Sequence, residues 1–134
     1  MYLVDTNVFL EVLLSRTRKE ECKKLLRSLR DGRKSGVVTD FTIHSIIVTM
    51  DGLNRLNELK TFLLSLLAYK ELRIHHTTIA DEVRATEFAV ERNLDMDDAI
   101  QYSSALSTNA DKIASFDKHF DGLEIPRVEP QLEE

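Results

Sequence analysis

A single cysteine, no apolar run of membrane-spanning length and no surplus of positive charge narrow what this sequence can encode. With Cys22 alone, no intramolecular disulfide can form, which fits a reducing cytoplasm. Nothing around Cys22 marks it as activated, so a small buried thiol on a helix is its expected state. No stretch reaches the roughly 20 apolar residues that a bilayer-spanning helix needs. The start carries neither a basic n-region nor a cleavage site, and no secretory leader is expected. Repeats, linkers and low-complexity blocks are absent as well. The net charge of −5 makes the chain a poor non-specific nucleic-acid binder, so any such role must use a local patch. One such patch exists. From Arg16 to Lys34 there are nine Lys/Arg against three acids, whereas from Thr77 onward there are five against fourteen. On charge alone, the basic run is first a solvated helix face.

The 134 residues, 43% hydrophobic and 31% charged, describe one ordinary globular domain, expected over 1–134. Tyr2-Leu3-Val4 is too short for a helix and suits a buried strand ending at Asp5. Asn7 can cap a helix through Leu14. Thr17 with Glu20 three residues on spells a capping box for a second helix, ended by Asp31-Gly32. Gly36 to Thr39 reads as a strand, and Asp40 or Thr42 starts a third helix. Leu56, Leu59, Leu63, Leu66 and Leu67 have helical spacing, which predicts a helix from Leu56 to about Tyr69. Leu72 to His75 reads as a strand and Thr78 caps a helix through Arg92. Asp97 to about Thr108 is the last helix. Lys112 to Phe116 is a fourth strand, Leu123 to Val128 contains a short fifth, and the tail from Glu129 is expected to fray.

Strands alternating with helices predict an α/β domain of three α/β/α layers, with a mostly parallel four- or five-stranded central sheet. In such a sheet ligands collect outside the carboxyl ends of the strands. Asp5 directly follows strand one, Asp117 follows strand four, and Asp97-Asp98 open the last helix. A carboxylate after a strand can simply cap the next helix. Several gathered together raise one another's pKa unless a cation neutralises them. Hard divalent ions such as Mg2+ or Mn2+ take oxygen ligands, and such a site can activate water for in-line phosphoryl transfer.

The segments LVDTNVFL, VVTDFTIHSIIVTM, LDMDDAIQYSSAL and ADKIASFDKHFDGL span essentially the whole chain. In this order and at these spacings they resemble the PIN domain, the fold of many small metal-dependent ribonucleases, including VapC-type toxins of toxin–antitoxin pairs. The resemblance implies an acidic quartet at the carboxyl end of the sheet, with Asp5 as first acid, Asp98 as third and Asp117 as fourth. These three would be the catalytic and metal-binding residues for Mg2+ or Mn2+. Thr6 and Asn7 match the small polar pair after the first acid, and Ser115 matches the hydroxyl residue before the last. The second acid, usually Glu, aligns with Ser45, a neutral and weaker ligand. That departure predicts weakened metal affinity. Glu11 on the first helix is a geometric candidate to compensate, while Asp40 is expected to cap a helix and His44 to point about 100° away from residue 45. Asp97 and Asp121 are read as a helix-start charge and a loop acid.

The resemblance further implies cleavage of RNA to 5′-phosphate and 3′-hydroxyl products, a cytoplasmic location without membrane association, an antitoxin protein as partner, and a homodimer. Arg16, Arg18 and Lys19, next to the first helix turn, are the candidates for RNA phosphate contact. No aromatic stacking residues interleave with them. Adjacent His75 and His76 point to opposite faces of a strand and do not share an ion. His119, two residues after Asp117, is a general-base candidate without an identified partner. Two other readings stay open. One is a non-catalytic PIN module that binds RNA or a protein, which Ser45 favours. The other is a receiver or haloacid-dehalogenase-like phosphotransfer domain, for which VDTNV lacks the second Asp and the remaining motifs are unconvincing.

Overall fold

A computed structural model describes residues 1–132 of the chain. Five strands form one all-parallel sheet: β1 (Tyr2–Val4), β2 (Gly36–Thr39), β3 (Leu72–His75), β4 (Lys112–Ala114) and β5 (Arg127–Val128), in the order β3-β2-β1-β4-β5. Six helices connect them: α1 (Thr6–Leu13), α2 (Lys19–Asp31), α3 (Asp40–Gly52), α4 (Leu56–Leu66), α5 (Ile79–Arg92) and α6 (Met96–Ser107). Side chains alternate across a strand, and both faces of this sheet are buried. Leu3 and Val37 pack with Tyr102, Ala105 and Ile113 on one side. Val4 and Val38 pack with Phe9, Leu29, Ile46 and Phe62 on the other. Leu3, Val4, Val37 and Val38 are all wholly buried, which explains why these strands are apolar runs rather than alternating patterns. Each such side chain contributes roughly 2 kcal/mol. The expected three layers and the higher strand count are both present.

The topology creates the crevice. From β1 the chain moves outward to β2 and then β3, and it returns to β4 on the other side of β1. The β1–β4 junction is therefore a topological switch point, where the loops leaving two adjacent parallel strands diverge. Asp5 N donates to Ala114 O at 3.0 Å, so the two strands end in step and release Asp5 and Ser115 side by side.

Several helix ends differ from expectation. Asp5, not Asn7, caps α1: its backbone is extended and its carboxylate accepts from Thr6 N. Thr39, the last residue of β2, caps α3 by accepting from Thr42 N, which places Asp40 inside the first turn. Thr17 makes no cap; α2 starts after Arg18, which offers no side-chain cap either. By contrast, Thr78 and Asp81 form a reciprocal capping box on α5. α4 stops at Leu66, short of Tyr69. Gly32 ends α2 in the left-handed region at φ 82°, where glycine pays no steric penalty. Gly36 sits at a close approach, where a Cβ would stand 3.1 Å from Leu29 Cδ2 and 3.3 Å from Tyr2 O, so a larger residue would need its neighbours to shift by a few tenths of an ångström. β4 ends at Ala114 and β5 is only two residues long.

The tail is tied down rather than frayed as far as it is described. Glu129 accepts from Arg127 and Arg18, Pro130 O accepts from Arg18, and Leu132 O accepts from Lys24. Glu133 and Glu134 lie outside the described residues. Among the described residues, no helix is long and apolar enough to cross a membrane.

Candidate metal centre

A cavity of about 240 Å³ opens at the switch point, lined by Asp5, Thr6, Asn7, Ser45, Asp97, Asp98, Gln101 and Asp117 together with Leu10 and Phe41. Four parts of the chain deliver its polar groups: the β1–α1 junction, the first half of α3, the N-terminus of α6 and the loop after β4. A larger cavity of about 720 Å³, against Tyr2, Lys24, Lys34, Lys112 and Arg127, holds none of these acids. Asp5, Asp98 and Asp117 are thus neighbours, and Ser45 lines the same cavity.

Asp5 is saturated with donors. Its Oδ1 accepts from Thr6 N at 2.8 Å and Gln101 Nε2 at 3.0 Å. Its Oδ2 accepts from Ser115 Oγ at 2.6 Å and Asn7 Nδ2 at 3.2 Å. Burial raises its pKa, while the bonds from Ser115, Gln101 and Thr6 work against that rise. A carboxylate has about four acceptor positions. All four are used here, which leaves none for nucleophilic attack on a phosphodonor and disfavours the phosphotransfer reading. Gln101 forms the hub behind Asp5: its Nε2 also donates to Thr42 Oγ1 at 2.7 Å, and its Oε1 accepts from Thr39 Oγ1 at 2.8 Å. Ser115 Oγ additionally accepts from Asp117 N at 2.9 Å and Asn7 Nδ2 at 3.3 Å, so the serine before Phe116 knits the first acid to the last.

Asp98 is held differently. It sits in the first turn of α6, whose N-cap Asp95 accepts from Asp98 N. Burial pushes its carboxyl up to about 7, reinforced by the charges of Asp117 and Asp95 and opposed by a hydrogen bond to His119. His119 Nδ1 lies 3.1 Å from Asp98 Oδ2 and 3.2 Å from Asp117 Oδ1. The hydrogen bond to Asp98, with the charges of Asp117 and Asp98, raises the pKa of this imidazole. Asp95, Asp98 and His119 bring one ligand atom each within 4.8 Å of one another. This donor set fits a divalent cation: carboxylates crowd until one is protonated near neutrality, a state that a cation would relieve. Asn7 Oδ1 is buried and has no donor among the described residues, a further acceptor in the cavity wall.

The other sequence candidates fall as follows. Asp97 is exposed at the cavity rim, and Asp121 is a loop acid paired with Arg127 at 2.8 Å. Glu11 does not line the cavity. Its Oε2 is buried without a donor among the described residues, and its charge adds to the burial that pushes the Cys22 thiol up to about 12. His75 and His76 bind different carboxylates, Asp81 at 2.9 Å and Asp40 at 3.6 Å. Arg16 is exposed. The Arg18 guanidinium is engaged by Glu21 and Glu129 and stacks 4.6 Å over Phe116, and Lys19 Nζ donates to Ser15 Oγ at 3.1 Å. Gln101, Asp95 and the partners of His119 were not identified from sequence. Gln101 follows Asp98 by three residues, a spacing that puts both on one helix face; that was the available signal.

The family model of the PIN domain matches residues 2–125, and no curated protein matches the chain. Among solved structures, a chain of a toxin–antitoxin complex from Klebsiella pneumoniae is 19% identical with a TM-score of 0.73, over 98% of each chain. VapC20 of Mycobacterium tuberculosis, described as a sarcin–ricin loop cleaving toxin, is 17% identical with a TM-score of 0.70, over 87% of this chain and 90% of that one. A chain of VapBC2 from Rickettsia felis, bound to a fragment of promoter DNA, is 13% identical with a TM-score of 0.73, over 97% and 98%. At these identities the likeness establishes the fold.

Proposed function

The chain belongs to the PIN-domain family, and from that membership we propose that it is a Mg2+- or Mn2+-dependent ribonuclease acting as the toxin of a toxin–antitoxin pair. The observation that carries this reading is the convergence of Asp5, Asp98 and Asp117 on one cavity at the switch point. A hard divalent ion bound there supplies charge neutralisation for in-line displacement at a phosphodiester and makes water acidic enough to react near neutral pH. Asp98 and Asp117 offer the ion direct ligands. Asp5, with both oxygens already hydrogen-bonded, would contribute its charge to the ion's surroundings. Ser115 and Gln101 hold Asp5 in place, and Thr6 and Asn7 form the polar edge that meets the substrate.

RNA phosphates are steered by the basic run at the α1–α2 turn. Arg16 and Lys19 are its available cations there, while Arg18 mainly fastens the tail to α2. Partners have surfaces to use. Val48, Leu53, Leu56, Leu64 and Leu67 are exposed on and around α3 and α4, and Ile79, Val83 and Val90 on α5. Apolar side chains grouped in this way favour burial against another protein, consistent with an antitoxin and a homodimer in the cytoplasm.

Ser45 favours a second reading, a PIN module that binds RNA or a protein without cutting. Cleavage of a broad RNA set, titrated with Mg2+ and Mn2+, separates the two when wild type, Asp98→Asn and Ser45→Glu are compared. The nuclease reading expects metal-dependent products from wild type, none from Asp98→Asn, and more from Ser45→Glu. Inactivity of all three would leave the binding module.

A further inference from the structure

The missing second acid raises the question of what else could hold an ion beside Asp98 and Asp117. Ser45 contributes only a hydroxyl, and Glu11 is not among the residues that line the cavity. His119 does not line the cavity either, but it stands against two acids that do, Asp98 and Asp117. Its backbone sits in a single 3-10 turn, Lys118–Phe120, capped by Asp117, whose Oδ1 accepts from His119 N at 2.9 Å. The next residue, Phe120, is wholly buried, so the turn is anchored on both sides of the histidine. Its imidazole is nevertheless 70% exposed. One ring nitrogen reaches both acids, at 3.1 Å and 3.2 Å, and Asp95 stands within the same cluster.

We propose that His119 Nδ1 is a direct nitrogen ligand of the divalent ion held by Asp98 and Asp117, replacing on the α6 side the ligand that Ser45 fails to supply. This assignment rests on the metal-site reading above. Its chemical consequence is selectivity. A site made only of carboxylates, hydroxyls and water suits Mg2+ and Mn2+, whereas an imidazole shifts preference toward borderline ions such as Co2+ and Zn2+. Mg2+, which tolerates few departures from octahedral oxygen coordination, gains least from the histidine.

Calorimetric titration of the intact protein with Mg2+, Mn2+, Co2+ and Zn2+ tests this without any activity readout. His119→Ala should weaken Co2+ and Zn2+ by about tenfold or more, the size reported even for losing an outer-shell partner, and change Mg2+ little. The spectrum of bound Co2+ should lose its nitrogen-ligand character in the same variant. The double variant Ser45→Glu/His119→Ala should recover ion binding with the preference moved back toward Mg2+. An equal loss for all four ions, or a Co2+ spectrum unchanged by His119→Ala, would overturn the nitrogen ligand while leaving the metal site standing. Wild type that binds none of the four ions would overturn both.

Discussion

Asp5 and Asp98 are equally buried, each 7% exposed, yet the protein holds them in opposite ways. Asp5 has a donor on every acceptor position, from Thr6, Asn7, Gln101 and Ser115. Asp98 has Asp117 and Asp95 for neighbours and a single imidazole in compensation. One side of the cavity is a finished hydrogen-bond network, and the other is an electrostatic conflict. The contrast separates two kinds of work. The Asp5 side is built for rigidity and contributes to folding. The Asp98 side is left unbalanced, and a cation would balance it.

The largest effect on stability should come from breaking the finished side. Asp5→Ala strips buried donors of their acceptor and should cost about 2–3 kcal/mol, read from urea unfolding. Asp117→Asn keeps an oxygen for His119 N and should change stability by less than about 1 kcal/mol. Equal losses would erase the distinction. Gln101→Leu should cost about 1–2 kcal/mol, because it leaves the Thr39 and Thr42 hydroxyls to find other partners and removes one donor from Asp5.

The unbalanced side should reveal itself through pH. The Asp98 carboxyl stands at about 7 in the folded chain against an ordinary value of 3.8, so the folded state binds this proton more tightly than the unfolded one. The associated stability is complete below about pH 4 and is lost as pH rises through about 7. The raised pKa of His119 acts in the same direction at the upper end. Metal-free wild type should therefore lose stability from about pH 5 to pH 7 more steeply than Asp98→Asn, measured by thermal unfolding. Parallel curves would contradict the conflict. The smallest effects lie outside the cavity. Thr78→Ala, which breaks a capping box, should cost about 1 kcal/mol, and Thr17→Ala, which caps nothing, less than about 0.5 kcal/mol.

What could be read from the sequence follows the same division. The strands, the helix cap at Thr78 and the acids that follow β1 and β4 are local patterns, and each stands where residue order predicts it: β3 over Leu72–His75, α5 over Ile79–Arg92, and Asp5 and Asp117 just beyond β1 and β4; the capping box expected at Thr17 is instead found at Thr78. What was not legible depends on contacts across the chain. Gln101 meets Asp5 over 96 residues of separation, and His119 meets Asp98 over 21. Cap identity failed for a related reason. Asn7 and Thr17 have the right chemistry, but the end of β1 hands the α1 cap to Asp5, and α2 begins after Arg18 with no side-chain cap.

The measurement that meets the central claim most directly is the initial rate of RNA hydrolysis as a function of Mn2+ concentration, for wild type beside Asp98→Asn. A saturable dependence on the metal in wild type and background rates in the variant are the predicted result. Cleavage that needs no metal, or that survives Asp98→Asn at the wild-type rate, would contradict it.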